Sequence, residues 1–166
     1  MSAFNSTERR IARCRERMPD YPAQLVTLNR LAYHVQKRTQ DRVAAALRQY
    51  DMTAVGYTAL MVLYGSQDET QRASELGEAC AEKPANMTRI CNDLATRGLI
   101  ERRSSDDDRR GVVITLTAAG RKLVERLSPE YWTIVEQTYD GIDAASLKKH
   151  EHMLRRLLDN LEDRTE

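Results

Sequence analysis

Aromatic side chains are scarce in this 166-residue chain, with one Phe, one Trp and seven Tyr. Seven glycines and four prolines leave long uninterrupted stretches rich in Leu, Ala, Arg and Glu, and such a chain is expected to be mainly helical. Three cysteines at irregular spacing (Cys14, Cys80 and Cys91) make neither a disulfide framework nor a zinc finger, and a reducing cytoplasm is the expected compartment. No apolar run approaches the ~20 residues that span a bilayer. The N-terminus lacks the apolar core of an export signal, so neither membrane nor secretion is expected.

Charge of one sign is also missing: the formal net charge is +1. Even between Arg72 and Arg110 eight basic residues balance eight acidic ones, so a case for nucleic acid must rest on where the charges sit. Catalytic signatures are absent too. There is no nucleophile–base pair in motif context, no Gly-rich phosphate loop and no metal-ligand set, and an enzyme is not expected. His150-Glu151-His152 invites a metal reading, but positions i and i+2 of a helix point about 200° apart and cannot share one ion. Neither a metal nor a cofactor is called for.

What is present is concentrated between Ser74 and Gly120. The pattern predicts a short helix over Ser74–Cys80, a second helix opened by Lys83-Pro84, and a charged hairpin. Proline suits a first helical position because its missing N–H would be unpaired there. Asn86, Thr88 and Arg89 lie on the early turns, while Ile90 and Leu94 are spaced for a buried stripe, and Gly98 is a left-handed stop. Leu99–Arg102 and Val112–Leu116 read as strands flanking the polar loop Ser104–Gly111. Helix–turn–helix followed by a hairpin is a winged helix–turn–helix, whose second helix enters the DNA major groove.

The strings Asp93-Leu94, Gly98-Leu99-Ile100, Arg102-Arg103, Asp108-Arg109-Arg110-Gly111 and Leu116-Thr117-Ala118-Ala119-Gly120 resemble the signature of MarR-family transcription regulators. Asp20-Tyr21-Pro22, Leu28 with Arg30-Leu31, Thr88-Arg89-Ile90 and Ile100-Glu101-Arg102-Arg103 are most similar to EmrR-type repressors of multidrug efflux pumps. The resemblance covers roughly the whole chain. It implies one MarR-like domain over residues 1–166, with dimerisation helices in 1–52 and 121–166 and a winged lobe in 53–120. It further implies a repressor of an efflux-pump operon, and of its own gene, released by a small effector.

Along the rest of the chain, residues 1–19 read as a basic helix with Arg9, Arg10, Arg13, Arg15 and Arg17 around Ile11, Cys14 and Met18: a dimer arm, or a phosphate contact. A long helix follows Pro22, with Leu25, Leu28, Leu31, Val35, Val43 and Leu47 on one side. Thr53 is an expected N-cap for a helix carrying Tyr57, Leu60, Met61 and Tyr64, and a polar linker leads on to Ser74. Thr117 is expected to cap another helix, bent or interrupted at Pro129. A last helix holds Leu147, Leu154, Leu157, Leu158 and Leu161. Two chains packing these terminal helices would bury the apolar faces and read a near-palindromic duplex site as a homodimer.

Asn suits adenine and Arg suits guanine, since each makes a bidentate pair, so Asn86, Thr88 and Arg89 are candidate base contacts, and Ala85 and Met87 candidate apolar ones. Lys83, Pro84 and Ser74 lie where the helix starts meet phosphate. The resemblance implies that Asp108 braces the wing while Arg110, or its neighbour Arg109, enters the minor groove, where a narrow A·T-rich groove attracts a guanidinium. At least one of the three aspartates should then pair with Arg102, Arg103 or Arg110. Tyr33, His34, Lys37 and Arg38, with Tyr57, Met61 and Tyr64, are candidates for an effector pocket suited to a phenolic carboxylate; Tyr and Met at helical spacing also suit a core. Cys14 among its arginines is a candidate oxidant sensor or a silent surface thiol, whereas Cys80 and Cys91 read as small core residues. A helical protein-interaction module without DNA binding is the reading from another class.

Overall fold

The computed structural model describes residues 4–104 and 111–163. Among these described residues, seven α-helices and three short strands follow in order: α1 Asn5–Arg17, α2 Ala23–Leu47, α3 Ala54–Tyr64, β1 Thr70–Arg72, α4 Ala73–Ala79, α5 Pro84–Thr96, β2 Ile100–Ser104, β3 Val112–Leu116, α6 Ala118–Thr138 and α7 Ala144–Glu162. Single 3-10 turns at Arg48–Tyr50 and Gln67–Glu69 join them. The chain divides into two compact units, Met1–Ile134 and Val135–Glu166.

In the first unit one core gathers side chains from α2, α3, α4, α5, the sheet and α6. Leu60, Leu63, Leu76, Ile114 and Leu127 are fully buried within it. Thr53 caps α3 by accepting the Gly56 N–H at 3.0 Å. Tyr57 is a core residue whose phenol shares a 3.0 Å hydrogen bond with the buried Ser128 hydroxyl of α6. Burial pushes its ionisation above the usual tyrosine range.

The sheet has β3 at its centre, antiparallel to β1 and β2. β1 falls in the stretch expected to be a polar linker. Its three residues carry no alternating apolar pattern, and pairing with Val113, Ile114 and Thr115 orders them instead. Thr70 and Thr115 hydroxyls meet across the pair at 3.0 Å. The helix expected from Ser74 starts one residue earlier, and the strand expected from Leu99 starts at Ile100.

Thr117 accepts the Gly120 N–H at 3.0 Å and donates to the Gly98 carbonyl at 2.7 Å, so one hydroxyl opens α6 and ties it to the end of α5. α6 then runs unbroken through Pro129, so of the bend or interruption expected there the interruption does not occur. Val124 and Leu127 before the proline, and Ile134 after it, are all buried in the core. Packing on both flanks outweighs the one lost backbone bond. The second unit is the end of α6 followed by α7, whose N-cap Asp143 accepts the Ser146 N–H at 3.0 Å. No residue of α7 is buried within the chain.

Candidate nucleic-acid interface

α4 and α5 are joined by a turn in which Ala81 takes a left-handed φ of 53°. The Glu82 N–H returns to the Gly77 carbonyl at 2.9 Å, closing the end of α4 and turning the chain. Lys83 and Pro84 open α5. At its other end Gly98, φ 68°, lets the Leu99 N–H reach the Leu94 carbonyl at 2.9 Å. Both termini are therefore set by backbone chemistry, and the helix has one buried and one open face.

The buried face is Met87, Ile90, Cys91 and Leu94. Met87 is 2% exposed, so the apolar base contact expected of it is overturned: its side chain fills the core beneath the helix. Lys83, Pro84, Ala85, Thr88 and Arg89 are exposed and Asn86 half-buried, as one open surface; Ser74, second in α4, is exposed as well. The Asn86 amide donates to a Glu82 carboxylate oxygen at 2.6 Å, and its carbonyl accepts from Arg89 at 3.1 Å. Glu82 is a member of this set that the sequence reading missed. Its i−4 spacing from Asn86 was the available signal.

On the hairpin, Arg103 pairs with Glu101 at 2.9 Å, and Arg102 donates to the Asn92 side-chain carbonyl. Asp108, Arg109 and Arg110 lie outside the described residues. A cavity of about 300 Å3 opens between α4, α5 and the sheet, with Ser74, Met87, Thr88, Cys91 and Arg102 in its wall. Burial raises the thiols of Cys80, up to about 11, and Cys91.

The seven effector candidates fall into two groups. On α2, Tyr33 and His34 stack edge to face at 5.7 Å, His34 also meets Phe4 at 5.5 Å, and Lys37 pairs with Asp41 at 2.5 Å. That pairing raises the Lys37 ammonium's pKa. Arg38 is exposed. The His34 Nε2 is buried with no partner among the described residues. On α3, Tyr57 lies in the core, Met61 is half-buried beside the Ser128 hydroxyl, and Tyr64 reaches Glu125 at 3.4 Å. Cys14 is half-exposed on α1. Among the described residues no cluster of three or more His, Cys, Asp or Glu could hold a metal, and no helix is long and apolar enough to cross a membrane.

The profile of the MarR family matches residues 50–111, from the 3-10 turn after α2 to the residue before β3. The transcriptional repressor MprA of Escherichia coli K12 is 29% identical over 97% of this chain and 92% of its own length. An HTH-type regulator of Bacillus subtilis, YhbI, is 31% identical over 75% of this chain and 78% of its own. Sco3205, a MarR-family regulator of Streptomyces coelicolor solved in complex with DNA, superposes with a TM-score of 0.77 at 23% identity. That match covers 84% of this chain and 87% of Sco3205. The winged helix–turn–helix seen here is thus the fold of DNA-binding relatives. The chain belongs to the MarR family, and it is a DNA-binding transcription regulator rather than an enzyme.

Proposed function

We propose that the protein is a homodimeric repressor whose two α5 helices enter successive major grooves of a near-palindromic operator, and that a small aromatic acid releases it. One observation carries this reading. α5 buries Met87, Ile90, Cys91 and Leu94 while leaving Pro84, Ala85, Asn86, Thr88 and Arg89 on an open surface that begins at a helix N-terminus. Asn86 and Arg89 supply bidentate groups for adenine and guanine, and Lys83 and Ser74 supply donors for flanking phosphates. Asp108 braces the wing and Arg109 or Arg110 enters the minor groove, in keeping with their place in the family string.

The dimer is supported by apolar side chains that a single chain leaves open. Leu25, Leu28 and Leu31 on α2, and Leu154, Leu157, Leu158 and Leu161 on α7, are 38% to 69% exposed. An effector acts by preferring a state in which the two α5 helices no longer match the groove spacing of ~34–36 Å. Tyr33, His34, Lys37 and Arg38 of α2, with Met61 and Tyr64 of α3, supply aromatic surface and cations for a phenolic carboxylate, and Tyr57 supports them from the core. The resemblance of the sequence to EmrR-type repressors extends this to control of an efflux-pump operon and of the protein's own gene, in the cytoplasm.

A gel-shift titration on DNA upstream of the protein's own gene, with competitor DNA, tests the reading. A specific shift released by salicylate is expected. Release by peroxide alone, reversed by thiol, would move the control to Cys14. Absence of sequence-specific binding to any duplex selected from random DNA would overturn the proposal.

A further inference from the structure

The end of α5 is held by a half-buried residue that lies outside the open surface running from Pro84 to Arg89. Arg97 caps the helix, and besides an ion pair at 3.7 Å with Asp93 one turn back, its guanidinium reaches 46 residues back along the chain. One Nη donates to the Asp51 carbonyl at 2.6 Å and the other to the Tyr50 carbonyl at 3.1 Å. Those carbonyls close the 3-10 turn in which α2 ends, and Asp51 stands there in the left-handed region at φ 50°. Terminal carbonyls of a helical turn carry partial negative charge. A planar fork of charged donors fits two of them better than an ammonium would.

The same turn is also gripped by α6. The Glu130 carboxylate accepts from the Tyr50 phenol at 2.5 Å and from the Gln49 amide at 3.0 Å. The Arg126 guanidinium covers the Tyr50 ring at 4.7 Å. Residues 49–51 are thus the junction where α2, α5 and α6 meet through directed polar bonds. Apolar contacts tolerate sliding; a bidentate pair of this kind fixes an angle.

We propose that Arg97 is a positioning residue for DNA recognition: its two bonds to the Tyr50 and Asp51 carbonyls set the tilt of α5, and Glu130 holds the junction they grip. This rests on the reading of α5 as the helix in the groove. Arg97 is itself one-quarter exposed and paired within the chain, so it acts through the helix rather than on phosphate.

The test is fluorescence anisotropy of the full-length protein on a duplex that the wild type selects from random-sequence DNA, and on a scrambled duplex, across a salt series. Arg97→Ala is expected to weaken binding to the selected duplex about tenfold or more. Binding to the scrambled duplex should change little, and the slope of log affinity against log salt should stay at its wild-type value. Arg97→Lys, which keeps the charge but not the fork, should fall between. Glu130→Gln should weaken selected binding too, and the double variant with Arg97→Ala should lose less than the product of the two. Thermal unfolding of each variant accompanies the titrations. Wild-type specificity in Arg97→Ala and Arg97→Lys would overturn the inference. So would a salt slope shallower by about one phosphate contact, full additivity with Glu130→Gln, or a loss explained by unfolded protein in both Arg97 variants. Failure of the wild type itself to select a sequence would instead overturn the reading of α5.

Discussion

Gly120 shows how much of the family string is packing rather than function. A Cβ built there would lie 2.2 Å from the Leu99 carbonyl oxygen and 2.7 Å from Leu116 Cδ1. Backbone cannot yield as a flexible side chain does, so Gly120→Ala should destabilise the fold by about 3 kcal/mol or more, read as a shift in the urea midpoint. Gly98 has open space around it but a positive φ, and Gly98→Ala should cost only about 1–2 kcal/mol. At the reading surface Arg89 should behave differently again. Arg89→Ala should leave the urea midpoint unchanged and relax discrimination at one base pair by about 1–3 kcal/mol, measured by competition among single-base operator variants.

At the scale of elements, the loop before β1 is tied to α6 by Glu69 and Arg121, which form a two-pronged pair with contacts of 2.8 and 2.5 Å. The Arg121 hydrogen bond holds the Glu69 carboxyl below the usual carboxylate range. A carboxylate depressed in the folded state contributes stability that is present above its unfolded pKa and is lost as pH falls through the folded one. Unfolding midpoints should therefore fall with acidification below the ordinary glutamate range, and Glu69→Gln should flatten that limb while leaving the neutral-pH fold intact. Equal acid sensitivity in the variant would show that the pair does not carry the effect.

Much of this scale was legible in the chain. Thr53 and Thr117 announced two helix starts, Lys83-Pro84 a third, and Gly98 a stop, because caps are local chemistry that spacing exposes. β1 was not legible, since three polar residues become a strand only through β3. Continuity of α6 through Pro129 was hidden for a related reason: tertiary packing overrode a local breaker. In the candidate site, the open face of α5 followed from helical period. Met87 was legible as well and was misread: it precedes Ile90 by three residues and Leu94 by seven, which puts it on the same buried stripe. Glu82 was readable from its i−4 spacing to Asn86 and was passed over, whereas Arg97 was invisible because its carbonyl partners lie 46 residues or more away.

For the whole molecule, the exposed leucines of α7 make the strongest demand. Leu157, Leu158 and Leu161 are each more than half exposed, an apolar stripe of a kind that marks an interaction surface. With the homodimer proposed above, Leu158→Glu should sediment as a monomer at concentrations where the wild type is a dimer. Its operator affinity should drop steeply, with the salt slope roughly halved, because one lobe neutralises half the phosphates. A variant that stays dimeric with wild-type affinity would place the interface elsewhere.

The three thiols sit in unlike surroundings, and this makes the molecule its own labelling scheme. Cys91 is buried, and Cys80, held near 11, carries almost no thiolate at neutral pH, which leaves half-exposed Cys14 as the natural target for a thiol-reactive spin label or fluorophore. One reporter per chain, on a helix outside the reading surface, becomes a pair in a two-fold assembly. In the homodimer proposed above, the distance between the two reporters would then show whether an effector changes the spacing of the two chains, with no cysteine added or removed.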